Sequence, residues 1–119
     1  MTHENKLGMF IHWGLYAMPA RNEWIKHIEC ITDEKYDKYF KYFNPDLFDA
    51  KEWAQLFKRS GAKYINFVSK HHDGYCLYET EYAPGLNSVE CAPKRDFLME
   101  LKNAMEGTGV RFGVYHSVY

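Results

Sequence analysis

Three short apolar runs, each ending in or at a histidine and separated by helical patterns, constrain this chain more than any other feature. Residues 8–12 read GMFIH, residues 62–69 read AKYINFVS and run into Lys70-His71-His72-Asp73-Gly74, and residues 110–117 read VRFGVYHS. The middle run is nearly continuous in apolar, aromatic and β-branched residues, the pattern of a buried strand. Ahead of it, Asp49 has the form of an N-cap with Glu52 three residues on, and Ala50, Trp53, Ala54 and Phe57 recur at helical spacing before Gly61 closes the turn. Asp96 opens the same grammar again, with Phe97, Leu101, Ala104 and Met105 on one face and Gly107 and Gly109 behind them. Strands alternating with helices call for a parallel sheet, so the fold class is α/β. Tyr36, Tyr39, Phe40 and Phe43 form an aromatic stripe after Thr32-Asp33-Glu34 whose period suits a short extra helix and would also suit a packed loop, broken from the next helix by Asn44-Pro45-Asp46. Nothing divides the chain into two units, which reads as one domain or a piece of one.

Charge excludes several classes of partner. Fifteen Lys+Arg against 16 Asp+Glu leave a net charge of -1, and no basic stripe marks a nucleic-acid footprint. A hydrophobic content of 46% with 18% aromatics supports a packed core and lies far from disordered composition. No window approaches the roughly 18 consecutive apolar residues of a membrane span. Residues 1–14 lack a charged segment followed by an apolar one, so no signal peptide is expected and the default compartment is the cytoplasm. Cys30, Cys76 and Cys91 are odd in number and never at CxxC spacing, which excludes a disulfide framework or zinc ribbon and predicts free, buried thiols.

The chemistry is concentrated by position. His12, the string His71-His72-Asp73 and the pair Tyr115-His116 fall at the carboxyl ends of the predicted strands, the edge where α/β barrels and open α/β sheets bind ligands. A lone histidine is more often structural or superficial; three strand ends delivering imidazoles to one rim point to a site. The 25 residues from 70 to 94 far exceed an ordinary βα connection of about 2 to 6 residues and read as a functional loop. Two chemistries could use the rim. A metal centre needs several of His12, His71, His72, Asp73 and His116 on one ion at about 2.0 to 2.2 Å. Neighbouring side chains on a strand face opposite ways, so His71 and His72 can act together only where the strand has already broken. A sugar site needs hydrogen-bonding groups against hydroxyls and an aromatic face against C–H surface, a mixture that Asn22-Glu23-Trp24 and the histidines supply.

The strings FIHWG at 10–14, NEW at 22–24, EWA at 52–54, GAKY at 61–64, KHHDG at 70–74, PKRD at 93–96 and FGVYHS at 112–117 resemble, in this order, the amino-terminal part of the α-L-fucosidases of glycoside hydrolase family 29. FIHWG and KHHDG are the specific ones. The resemblance implies a (β/α)8 barrel followed by a β-sandwich, and hydrolysis of α-L-fucosides with retention of configuration. It also implies that His12, His71 and His72 bind fucose hydroxyls with Glu23 and Trp24 beside them and Tyr115 in the same pocket; His116 is given no definite role. No cofactor and no metal are implied, and the partner is a fucosylated glycan.

The family's nucleophilic aspartate and acid/base glutamate lie beyond any position of this chain, and Asp73 takes a supporting role. A barrel takes about 250 residues, so residues 1–119 are expected to form the amino-terminal fragment of a (β/α)8 catalytic domain, its first three strands, incomplete and inactive alone. Open strand edges would then favour self-association. A non-catalytic carbohydrate-binding or assembly module and a metal-dependent barrel hydrolase are the alternatives.

Overall fold

The computed structural model describes residues 7–83, 85–91 and 93–118; the start of the segment read for a leader, residues 1–6, lies outside the described residues. Strand β1 (Gly8–Ile11) is followed by a 3-10 turn (Leu15–Ala17) and three short helices, α1 (Ile25–Ile28), α2 (Asp33–Tyr36) and α3 (Lys38–Tyr42). Then come α4 (Ala50–Arg59), β2 (Tyr64–Lys70), α5 (Phe97–Met105) and β3 (Arg111–His116). The strands form a parallel sheet in the order β1-β2-β3. The α/β expectation holds at this level.

Both long helices start as their sequences predict. The Asp49 carboxylate accepts the Lys51 and Glu52 backbone N–H groups at 3.0 and 3.2 Å, and Asp96 accepts that of Met99 at 2.8 Å, satisfying donors that the first turn leaves unpaired. Gly61, at φ 81°, turns the chain out of α4 in a conformation that costs a glycine little. The apolar faces of α4 and α5 then meet one face of the sheet: Ala54 and Phe57, with Phe97, Leu101 and Met105, pack in one cluster with the fully buried Ile65 and Phe67 of β2.

The opposite face is shaped by space. Phe10, Asn66 and Gly113 lie in register across the three strands, and a Cβ at Gly113 would come 2.5 Å from Asn66 Oδ1. A Cβ at Gly8 would sit 1.9 Å from the Tyr64 ring. Two glycines thus make room for the larger side chains of the central strand.

Trp13, one residue past the rim histidine of β1, is the hub of an aromatic cluster. Its ring centroid lies 5.7 Å from Phe43, 5.2 Å from Phe48, 5.4 Å from Trp53 and 5.1 Å from Phe97; the Trp53 and Phe97 pairs are edge-on, Phe43 is tilted and Phe48 is stacked. Arg95 adds a clamp, with its guanidinium over the rings of Phe48 and Phe97 and bonded to Glu100 at 3.0 Å. The long connection from β2 to α5 is packed rather than loose. Tyr75, Cys76, Leu77 and Asn87 are buried, and Asn87 accepts the backbone N–H groups of Val89 and Glu90 while donating to the carbonyls of Thr80 and Ala83.

Two expectations need correction. The aromatic stripe from Tyr36 to Phe43 is not one helix: α2 ends at Tyr36, and α3 begins at Lys38. Cys76 is a buried free thiol and Cys91 a partly buried one, but Cys30 is exposed, because it sits in the left-handed turn (φ 50°) that ends α1. The N-cap geometry yields a test. Asp49→Ala should cost about 0.5 to 2 kcal/mol in urea unfolding while Asp49→Asn costs much less, since asparagine keeps the capping acceptor.

Candidate functional site at the carboxyl edge of the sheet

The site is organised around the end of β2. The parallel register of β2 and β3 slips between Val68 and Lys70, opposite Tyr115 and His116, so Ser69 is an extra residue in β2. Such a bulge bends a strand and re-aims the side chains beyond it. Ser69 Oγ donates to the Tyr115 carbonyl at 3.0 Å, and the Ser117 N–H donates to the Lys70 carbonyl at 2.9 Å, which locks the two strand ends together. The strand then stops at Lys70, which removes the objection that adjacent histidines must face opposite ways. The rings of His71 and His72 lie 4.7 Å apart at 63°.

A turn fixes the pair from behind. Gly74, at φ 87°, donates its N–H to the His71 carbonyl at 3.1 Å. Asp73 accepts the Tyr75 N–H at 3.2 Å through one oxygen and the Tyr36 hydroxyl at 2.5 Å through the other. Burial raises the Asp73 carboxyl above its ordinary range, and the bonds from Tyr36 and Tyr75 hold it down in part. His72 Nδ1 sits 2.5 Å from Ser117 Oγ, so the residue that follows β3 also orients that imidazole.

The first long loop closes the site from the other side. Asn22, at φ 120°, accepts the Trp24 N–H on its side chain at 2.9 Å and the Ile25 N–H on its carbonyl at 3.2 Å. This turn, of the kind asparagine tolerates, delivers Glu23 and Trp24. The Trp24 ring lies 5.6 Å from His71 and 4.4 Å from His72. His12 lies 5.8 Å from His71, and Tyr115 6.2 Å from it. Five of the six residues read from the sequence therefore meet as one cluster of rings centred on the His71 imidazole. The sixth, Glu23, joins Trp24, His72 and Asp73 in the wall of a cavity of about 610 Å³.

His71 is the buried member, 5% exposed, with Nδ1 lacking a hydrogen-bond partner among the described residues. Burial, followed by the fields of His72 and His12, pushes its pKa below the ordinary imidazole value. It is a neutral group ready to donate or accept. His116 goes elsewhere: its Nδ1 lies 3.3 Å from the Tyr78 hydroxyl. Among the described residues no three His, Cys, Asp or Glu side chains gather closely enough to hold a metal ion.

Sequence reasoning missed Tyr16, whose buried ring lies 5.3 Å from His71, and Phe10, stacked at 4.9 Å on His12. Both look like core in the sequence. Phe10 does have a signal, because it lies two residues before His12 and so faces the same side of the strand.

This is a cluster of aromatic and imidazole rings beside a cavity at the ligand-binding edge of a parallel α/β sheet, and comparison with known proteins assigns its lineage. A family profile described as Alpha-L-fucosidase matches residues 2–119, and the chain belongs to that family. It is 37% identical to human plasma alpha-L-fucosidase over 96% of this chain and 28% of that protein, and 35% identical to a putative alpha-L-fucosidase of Caenorhabditis elegans over 98% and 28%. Alpha-L-fucosidase isoenzyme 1 from Paenibacillus thiaminolyticus superposes with a TM-score of 0.90 at 42% identity, covering 95% of this chain and 27% of that one. A Bacteroides thetaiotaomicron alpha-L-fucosidase of glycoside hydrolase family 29 gives the same TM-score at 37% identity, over 97% and 28%. The chain spans about 28% of the length of the curated relatives it matches.

The depressed pKa of His71 sets a pH dependence. The unfolded chain takes up a proton at this residue near pH 6.5, before the folded one does, so its contribution is fully present above that pH and is lost as pH falls toward the folded pKa. Urea midpoints followed downward from about pH 7.5 should fall, and His71→Gln should flatten that part of the profile.

Proposed function

We propose that this chain is the amino-terminal sector of a retaining α-L-fucosidase that removes terminal α-L-fucose from glycans, and that it supplies the fucose-recognition half of the site. Residues 1–119 form the first three strands of a (β/α)8 barrel on this reading. The observation that carries it is the convergence of His12, Trp24, His71, His72 and Tyr115, with Glu23 alongside, at the carboxyl edge of one parallel sheet. The names of the matched proteins, alpha-L-fucosidases, agree with it.

The chemistry follows from the donor set. Neutral imidazoles can donate to one hydroxyl and accept from another, and the Glu23 carboxylate is a strong acceptor for a sugar hydroxyl. Trp24, 42% exposed, offers an apolar wall for a methyl group and ring C–H bonds. Fucose carries a methyl where its 6-hydroxy counterpart carries CH2OH, so such a wall selects fucose by the cost of desolvating that hydroxyl.

A retaining glycosidase also needs two carboxyl groups about 5 to 5.5 Å apart, one attacking the anomeric carbon and one protonating the leaving oxygen. Asp73 is committed to Tyr36 and to the turn at Tyr75. We therefore assign nucleophile and acid/base to parts of the protein outside residues 1–119, and these residues alone to binding without turnover. A non-catalytic carbohydrate-binding role for the isolated chain would draw on the same pocket.

In the complete enzyme, His71→Ala and His72→Ala should each weaken L-fucose inhibition by about 5- to 150-fold, the value of roughly 1 to 3 kcal/mol for stranding a buried hydrogen-bond partner. L-galactose should inhibit more weakly than L-fucose, and EDTA should change nothing. Equal inhibition by the two sugars, or a chelator-sensitive site with either variant silent, would reject the fucose pocket.

The uncovered edges carry a second expectation. β1 and β3 are the outer strands, and Phe10 and Val114 are about half exposed on opposite faces of the sheet. Free strand edges with apolar surface template pairing. Sedimentation of the isolated 119-residue chain should show concentration-dependent self-association, and a compact monomer at high concentration would favour an independent module over a barrel sector.

A further inference from the structure

Two polar atoms in the ring cluster are unpaired, and they belong to neighbouring rings. The Tyr16 hydroxyl and His71 Nδ1 are buried without a hydrogen bond among the described residues, on side chains that are each 5% exposed. Their ring centroids lie 5.3 Å apart, at an interplanar angle of 59°. A buried polar group left unpaired is rare and costly. Among the described residues Ser88 Oγ, in the β2–α5 connection, is the one other such side-chain atom.

Local structure holds Tyr16 where it is. Gly14 leads from Trp13 into the 3-10 turn Leu15–Ala17, and a Cβ at Gly14 would stand 3.1 Å from the Tyr16 ring. The phenol therefore packs on the backbone one residue beyond Trp13, the hub of the aromatic cluster. Its place beside His71 is set by that packing, and a phenylalanine would fill the same space. The hydroxyl is the part that packing leaves unexplained.

The two unpaired groups are complementary. Burial, with the fields of Asp73 and Glu23 added, keeps the Tyr16 hydroxyl protonated far above the ordinary phenol range. The Trp13 backbone N–H faces the oxygen and lowers that pKa in part without completing a hydrogen bond, so the hydroxyl hydrogen is left to donate. His71 is held neutral by its burial, and a neutral imidazole has one N–H and one bare nitrogen. What one ring nitrogen bonds to decides what the other can offer. His72 already has its Nδ1 engaged, by Ser117 Oγ at 2.5 Å.

We infer that Tyr16 is a positioning residue of the sugar site: its hydroxyl donates to His71 Nδ1 when fucose binds, which commits the imidazole proton to Nε2 and makes His71 a donor to one fucose hydroxyl. A slight turn of the imidazole about its Cβ–Cγ bond closes the pair. This role rests on the fucose-pocket reading for its ligand, and it adds that His71 works there as a donor and not as an acceptor. The phenol hydroxyl is thus stranded in the free protein and used in the complex.

The test uses the complete enzyme, reading inhibition of aryl α-L-fucoside hydrolysis by L-fucose and by its 2-, 3- and 4-deoxy analogues. Tyr16→Phe should weaken L-fucose about 3- to 10-fold, the scale of one neutral hydrogen bond. The loss should trace to a single hydroxyl: one deoxy analogue should inhibit Tyr16→Phe and wild type equally, while the other two keep the loss. His71→Gln puts an amide N–H donor near the Nε2 position whatever Tyr16 does, so adding Tyr16→Phe to it should cost nothing further. Stability should not follow binding. With a stranded hydroxyl removed, ligand-free Tyr16→Phe should unfold at the same or a higher urea concentration than wild type. No loss of L-fucose inhibition, a loss spread evenly over all the analogues, a full loss in the His71→Gln background, or a lowered urea midpoint beside weaker binding would each overturn the role of Tyr16. If that happens while His71→Ala still weakens L-fucose, the fucose-pocket reading stands and Tyr16 alone is misassigned. If His71→Ala is silent, the pocket reading falls and the role of Tyr16 with it.

Discussion

The indole of Trp13 packs against parts of the chain that lie far apart in sequence. It follows the rim residue of β1 and is packed by rings from the α3–α4 connection (Phe43, Phe48), from α4 (Trp53) and from α5 (Phe97). Each contact spans a wide gap in sequence, and ordering those gaps carries an entropic cost that only a large buried surface offsets. Because Trp13 is anchored, His12 has little freedom to leave the rim. Core packing and site geometry are therefore one problem in this chain.

The second constraint is the way β2 ends. A continuing strand would send His71 and His72 to opposite faces. The extra residue at Ser69, the hydrogen bonds to β3 and the Gly74 turn end it so that both imidazoles stay within one ring cluster. The Tyr36–Asp73 bond then couples that turn to α2, and Lys26, which pairs with Asp33 while lying over Tyr36, couples α2 back to the segment bearing Glu23 and Trp24. Exposed ion pairs contribute little alone. Here the partly buried phenol–carboxylate bond is the stronger link, and the ion pair extends it.

Two faces of the sheet have different fates. The face holding Ile65 and Phe67 is covered by α4 and α5, while Val114 on the same face of β3 is 51% exposed. The other face carries Phe10, Asn66 and Tyr115 beside the site. A sheet so unevenly covered fits the chain's match to about 28% of its curated relatives.

Local chemistry made much of this legible in the sequence. The N-cap aspartates, the helical spacing of Trp53, Ala54 and Phe57, and the apolar runs each depend on neighbours within a few residues, so the strand–helix order and the rim positions of His12, His71 and Tyr115 could be read directly. Glu23 and Trp24 were legible as part of a sugar-site mixture beside the first strand, and the family resemblance implied their place in the pocket. The division of the aromatic stripe into α2 and α3, the exposure of Cys30, the burial of Tyr16 against His71 and the divergence of His116 toward Tyr78 could not be read. The last two depend on contacts between segments tens of residues apart, and sequence spacing carries no record of which ring will fill which gap. The sequence by itself determined a parallel α/β segment with imidazoles at one edge. Only the tertiary structure decided which of them converge, because the bulge at Ser69 and the packing around Trp13 are properties of the assembled sheet.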